Sequence, residues 1–186
     1  SIEQCLDDLK KFMHFIDAPL GIYGVLGNHD SPNMVGPLRS MGIKMLMNES
    51  IALNRNGELL YLVGVEDSHF HKKHDLNKAF NTVPDKEFVL FVTHSPELYE
   101  EALEYKASFC LCGHTHNGQI RFPIIGALAK NCKVPKQFTN GVWKHFGLQG
   151  YTGSGVGTSL LPVRFLCPPE ISLITFRKTS KPKSVN

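Results

Sequence analysis

Three apolar runs in this chain each open directly into polar residues that carry lone pairs: "GVLGNHD" (24–30), "FVLFVTHSP" (88–96) and "SFCLCGHTH" (108–116). This repeated pattern constrains the fold more than any other feature of the sequence. An unbroken apolar stretch such as "FVLFV" is what a strand buried on both faces requires. A chain that sets functional groups just beyond its strand ends builds a site along one edge of a sheet. The flanking segments show helical spacing, so the expected class is α/β (α+β).

The third run holds an ambiguity. In "CLCGHTHNGQ" two cysteines and two histidines alternate at every second position: Cys110, Cys112, His114 and His116. A structural zinc site needs four ligands converging tetrahedrally at about 2.0–2.3 Å from the ion. An extended chain rises ~3.3 Å per residue, which would set Cys110 and His116 roughly 20 Å apart. Zinc frameworks solve this with a long excursion between two close ligand pairs, and no such excursion exists here. The cysteines are therefore read as small hydrophobes of a buried strand, and "GHTH" as a separate object at its end.

The remaining elements follow from periodicity and turn chemistry. "SIEQCLDDLKKFMHFI" has helical spacing, with acids early and lysines late. "PLGIYGVLGNHD" reads as a short strand stopping at a Gly-Asn turn, and "SPNMVGPLRSMG" as a broken short helix ending near Gly42. "ESIALNRNGELLYLVGVED" is a hairpin around "NRNG". "PELYEEALEYK" is a helix opening on Pro and acids. "YTGSGVGTSLLPVRFLCPPEISLITF" reads as short strands and loops closing on a strand.

At 186 residues, with 42% hydrophobic and 20% charged side chains, the chain fits one globular domain, expected over 1–178, followed by a basic flexible tail over 179–186. The net charge of +3 is too small to argue for nucleic acid, and none is expected as a partner. No apolar run approaches the roughly 20 residues of a membrane helix. The opening residues carry acids where a secretory leader has basic ones, so no leader is expected. Five cysteines without framework spacing suit a reduced compartment, and a cytoplasmic location is expected.

The strand-end candidates are Asn28, His29, Asp30, His94, His114 and His116. Imidazole is the commonest metal ligand and a neutral amide supplies an oxygen, a mixed set that suits Mn²⁺, Zn²⁺ or Fe better than Ca²⁺ or Mg²⁺. One strand-end histidine alone is ordinary; three strand ends bearing such residues together point to a site.

"GNHD", then "THSP", then "GHTH", in that order, resembles the calcineurin-like metallophosphoesterase family. "GHTHNGQIRFP" and "GVGTSLLPVRFLCPPEI" resemble its bacterial, often membrane-associated branch, one activity of which is cleavage of the pyrophosphate in UDP-2,3-diacylglucosamine during lipid A synthesis. The resemblance runs from about Pro19 to Phe176. It implies a two-sheet sandwich flanked by helices and two divalent ions, Mn²⁺ first and Zn²⁺ or Fe as alternatives. It also implies a metal-hydroxide attack on a phosphodiester or pyrophosphate. By the family's pattern Asn28, His94 and His114 hold one ion and His116 the other. His29 touches the phosphate and the leaving oxygen, and Asp30 orients His29. A small-molecule or lipid-linked phosphate is the implied substrate, with peripheral contact to the inner face of a bacterial inner membrane.

The family also opens with Asp-x-His and Gly-Asp-x-x-Asp motifs, and neither lies between Ser1 and Leu26. The expectation is a chain holding the C-terminal, larger part of such a domain, lacking its first strands, almost inactive alone and self-associating across an uncovered edge. The alternative is a binding module that keeps the fold without the chemistry. Asp67-Ser68-His69 is either a displaced first motif or a loop after a strand, and its order in the chain favours the loop. His71, His74, Lys72 and Lys73 read as solvated loop. Arg164 stands evenly between a bidentate phosphate contact and a surface ion pair. Trp143 and Phe146 are read as a satellite core rather than a pocket rim.

Overall fold

A computed structural model describes residues 2–127 and 131–178. The tail expected over 179–186 lies outside the described residues. In chain order the elements are α1 (Ile2–Met13), β1 (Ile22–Gly24), α2 (Val35–Ser40), β2 (Ile43–Met45), β3 (Glu49–Arg55), β4 (Glu58–Gly64), α3 (Leu76–Phe80), β5 (Val89–Val92), α4 (Tyr99–Glu104), β6 (Phe109–Cys112), β7 (Arg121–Phe122), β8 (Gly126–Ala127), β9 (Gly141–His145) and β10 (Leu148–Thr152). The architecture is mixed α/β, with a central six-stranded sheet flanked by helices.

That sheet runs β3-β4-β5-β6-β10-β9. Strands β4, β5, β6 and β10 are parallel, and an antiparallel hairpin partner closes each side, β3 on β4 and β9 on β10. Parallel neighbours end at the same edge, so the loops after β4, β5 and β6 are gathered together. A second, two-stranded parallel sheet pairs β1 with β2, Ile22 opposite Ile43.

Local chemistry explains the boundaries. The first hairpin turns at Asn56 and Gly57, both with positive φ, as a tight turn requires. The entry to α4 is a 3₁₀ turn, Pro96–Leu98, whose Ser95 side chain accepts from the Glu97 N–H. Asp75 caps α3, accepting from the Lys78 N–H at 2.9 Å, the usual role of an aspartate at that position. In α1, Leu6, Leu9 and Met13 share one face and pack on the small core of Leu26, Leu38, Ile43 and Met45 around β1 and β2. The larger core lies between the six-stranded sheet and α3 and α4, and includes Val63, Leu76, Ala79, Phe91, Ala102 and Cys110.

Two departures from the sequence reading stand out. The closing "ISLITF" forms no strand. It has side-chain anchors instead of a ladder partner: Phe176 packs on Phe88 and Phe109, with ring centroids 5.4 and 5.1 Å away. The β9–β10 hairpin was not expected from the Gly-rich stretch around it. It turns at Phe146 and Gly147 (φ 46° and 115°), and Gly150 lets the Trp143 indole lie flat against the strand, since a Cβ there would meet the ring at 2.2 Å.

Candidate functional site

The ladder between β5 and β6 continues past both strands. The Thr93 N–H donates to the Leu111 carbonyl at 3.0 Å and the Gly113 N–H to the His94 carbonyl at 2.9 Å. This register sets His94 and His114 side by side. From the other sheet, the turn after β1 brings Asn28 to the same point. It is closed by Asp30, whose carboxylate accepts from the Gly27 N–H at 2.7 Å, while the Asp30 N–H donates to the Gly27 carbonyl at 3.1 Å.

His94 Nε2 lies 2.8 Å from Asn28 Oδ1 and 3.0 Å from His114 Nδ1. His114 Nε2 lies 2.6 Å from the Asn131 carbonyl. A carbonyl only accepts, so His114 carries its proton on Nε2 and its Nδ1 presents a lone pair. The proton on His94 Nε2 then faces two lone pairs, one oxygen and one nitrogen. Burial, with His114 as the next cause, lowers the His94 pKa to about 4, so the ring is neutral at pH 7. His114 is also held below its ordinary value, by burial first, against the Asn131 bond that raises it.

Among the described residues, no group of three or more His, Cys, Asp or Glu side chains is arranged to hold a metal. The convergence here is two imidazoles and an amide oxygen. It fits one divalent ion: with the His94 proton moved from Nε2 to Nδ1, three neutral donors would face a cation there, the chemistry a Mn²⁺ or Zn²⁺ site uses. His116 is not part of that convergence. Its Nδ1 lies 3.3 Å from the Gly157 carbonyl and 3.4 Å from Arg164 Nη2. Burial lowers its pKa, against the Gly157 bond that raises it, and the Arg164 guanidinium adds to the fall. A cation would meet the guanidinium there, so the residues present do not fit a second ion. The turn that carries both histidines has positive φ at His114 (68°), His116 (48°), Asn117 (51°) and Gln119 (53°). For residues other than glycine this is a strained region found preferentially at functional sites.

His29 is exposed on the Asn28 turn. Arg164 donates to backbone carbonyls, from Nε to Gly157 at 2.8 Å and from Nη2 to Ser154 at 2.6 Å, and so braces the 154–168 loop against His116. Cys110 is fully buried in the core, and Cys112 Sγ lies 3.1 Å from Thr152 Oγ1, as expected of cysteines that are not metal ligands. Trp143 is in the main core, but Phe146 is 90% exposed.

The loop after β4 holds residues that the sequence reading set aside. His69 packs its ring on His114, with centroids 4.3 Å apart, and its Nδ1 lies 3.0 Å from both oxygens of Glu97. Burial would raise the Asp67 pKa, but bonds from the backbone N–H groups of His71, Phe70 and His69 lower it overall. The available signal was positional, because "VGVEDSHF" ends a parallel strand at the same edge as "THSP" and "GHTH". By contrast, a groove of about 900 Å³ between the β3–β4 hairpin and residues 174–178 contains none of the candidate residues.

Comparison with known proteins agrees at the level of a broad class. An uncharacterized metallophosphoesterase of Aquifex aeolicus is 28% identical over 184 residues, which cover 92% of this chain and 67% of that protein. The uncharacterized metallophosphoesterase YkuE of Bacillus subtilis is 28% identical over 89% of this chain and 59% of its own length. A protein of Escherichia coli described as the phosphodiesterase YaeI is 28% identical over 82% of this chain and 57% of its own. Four relatives, one of them an uncharacterized protein of Bacillus subtilis, are matched over 48–67% of their length, so the chain spans about half to two thirds of each. No family model matches the chain. No solved structure matches it. The chain is thus a distant homologue of several metallophosphoesterases, which supports the calcineurin-like superfamily and a hydrolase of that general class.

Proposed function

We propose that the chain belongs to a metal-dependent phosphoesterase acting on a phosphodiester or pyrophosphate bond, with Asn28, His94 and His114 holding one divalent ion. The observation that carries this reading is the meeting of Asn28 Oδ1 and His114 Nδ1 at His94 Nε2, at 2.8 and 3.0 Å. When bound, the ion supplies Lewis acidity and lowers the pKa of a coordinated water. The chain's own residues do the rest. The low pKa of His94 keeps its ring available as a neutral ligand. The Asn28 amide adds an oxygen without adding charge. Asp30 holds the turn that carries His29, and in this reading the exposed His29 imidazole meets the phosphate and hands a proton to the leaving oxygen, a contribution of about 10²–10⁴-fold.

A lipid-linked nucleotide diphosphate, of the UDP-2,3-diacylglucosamine kind, is the substrate class we favour. Its support is the resemblance of "GVGTSLLPVRFLCPPEI" and the exposure of Leu160, Leu161, Val163 and Phe165 on the loop that meets His116 through Gly157 and Arg164. A cytoplasmic protein in peripheral contact with an inner membrane accords with that surface. No helix among the described residues is long and apolar enough to cross a membrane. A non-catalytic binding module remains the second reading, favoured by the guanidinium beside His116. The deciding experiment assays a phosphodiester and a pyrophosphate panel with and without Mn²⁺, using a version of the chain extended to the full length of its relatives. Metal-dependent turnover is expected, and undiminished hydrolysis after exhaustive chelation would refute it.

A further inference from the structure

His114 is held in place by two contacts beyond the ligand cluster, and both lead to Glu97. The first is the ring of His69, packed on His114 at 4.3 Å with the planes tilted by 44°. His69 is itself fixed at both ends. Its backbone belongs to a turn whose N–H groups, at His69, Phe70 and His71, all donate to the buried Asp67 carboxylate at 3.1, 2.8 and 2.7 Å. Its Nδ1 lies on the Glu97 carboxylate. The second contact is the Asn131 carbonyl on His114 Nε2. That segment is tied down two residues later, where the Lys133 N–H donates to Glu97 Oε1 at 3.2 Å. Glu97 sits in the 3₁₀ turn immediately after the strand that delivers His94, with its side chain only 20% exposed. One carboxylate therefore links the loop after β4, the segment before β9 and the end of β5.

We propose that Glu97, acting through His69 and through the Asn131–Lys133 segment, positions the His114 imidazole in the candidate metal site. His69 and Glu97 are positioning residues in this scheme. Groups bonded directly to a metal-ligating imidazole typically change metal affinity 10–100-fold when removed, and Glu97 acts one contact further out, through His69 and through the segment that carries the Asn131 carbonyl. The inference rests on the reading of Asn28, His94 and His114 as ligands, but its structural half does not need a metal.

The test uses the full chain and three variants: Glu97→Ala, Glu97→Gln, and Glu104→Gln as an exposed control. In the metal-free protein, two-dimensional ¹H–¹⁵N spectra of the imidazole nitrogens report tautomer and environment. The wild type should show His114 protonated on Nε2 and His69 on Nδ1. Glu97→Ala should shift both sets of signals, Glu97→Gln should shift His69 more than His114, and Glu104→Gln should move neither. Titration with Co²⁺, followed by its visible absorption, should then show about a tenfold or greater loss of affinity in Glu97→Ala. Thermal unfolding of the metal-free variants checks that they fold, and if Glu97→Ala does not, Glu97→Gln carries the comparison. Unchanged His114 signals with unchanged Co²⁺ affinity would overturn the proposal. His114 signals shifted by Glu97→Ala, together with a wild-type chain that binds no Co²⁺, would support the positioning role and overturn the metal reading alone.

Discussion

At the scale of single residues, the site depends on one missing methyl group. A Cβ on Gly27 would lie 2.5 Å from His94 Cε1, 2.6 Å from its Nδ1 and 2.8 Å from its Nε2. The His94 ring therefore occupies the space a side chain would need. Gly27→Ala should leave the fold intact, because the ring can swing away, but should weaken Mn²⁺ or Zn²⁺ binding roughly tenfold or more, as misplacing a ligand does. Calorimetric titration checks this, and an unaltered affinity would show that the ring is not confined by the Asn28 turn. Asp67 supports a second prediction. Its folded pKa lies below the ordinary 3.8, so its bonds stabilise the fold above that value and are lost as pH falls through the folded pKa. Asp67→Asn should cost about 1–3 kcal/mol at pH 7 and make acid unfolding below about pH 4 less steep. Urea unfolding at pH 7 and pH 3 measures both, and a parallel pH dependence in variant and wild type would count against it. Asn28, His94 and His114 were legible in the sequence because each follows an apolar run. His69 and Glu97 were not, since a histidine after a strand and a glutamate opening a helix are both commonplace. Only the shared edge of the parallel sheet gives them significance.

At the scale of elements, the legible parts were those whose pattern is local. The β3–β4 hairpin has its Asn-Gly turn, β5 and β6 have apolar runs, and α4 has its Ser-Pro-Glu entry. The β9–β10 hairpin escaped notice because what stabilises it is a contact across strands. Trp143 Nε1 donates to Thr152 Oγ1 at 2.9 Å, and that hydroxyl donates to the Phe138 carbonyl at 2.6 Å, all of it buried. A threonine two residues beyond a glycine gives no hint of this. The closing "ISLITF" failed for the converse reason: its residues favour a strand, but the backbone finds no ladder partner among the described residues. Thr152→Val keeps the shape and removes both bonds along with the Cys112 Sγ contact, leaving an indole N–H and a carbonyl unpaired. It should cost about 2–4 kcal/mol, read as a lower urea midpoint with an unchanged slope. A cost well under 1 kcal/mol would mean that the hydroxyl network does not hold β9 on the sheet.

At the scale of the whole molecule, charge decides how many ions this 186-residue chain can hold. Two divalent ions at the ~3.5–4 Å spacing of two-metal sites repel strongly, and a shared anion normally offsets that. Several carboxylates lie near the histidines, but each is already engaged. Asp30 accepts from Gly27, Asp67 from three backbone N–H groups, and Glu97 from His69 and Lys133. The side chains that converge, Asn28, His94 and His114, carry no negative charge, and His116 stands beside the Arg164 guanidinium. Large apolar side chains are meanwhile left in solvent, with Ile124, Leu160 and Leu173 at 107, 100 and 95% exposure, and we expect the chain to self-associate through such surfaces. The expected outcome is one tightly bound metal per chain, a solution mass above that of a monomer, and hydrolysis scarcely above the metal-only background. Elemental analysis after desalting, light scattering and a phosphodiester assay on the same sample read all three. Two retained ions with rapid turnover in a clean monomer would mean that one of the engaged carboxylates lets go of its backbone partners to bridge them, and Asp67, next to the His69 turn, would be the first to replace.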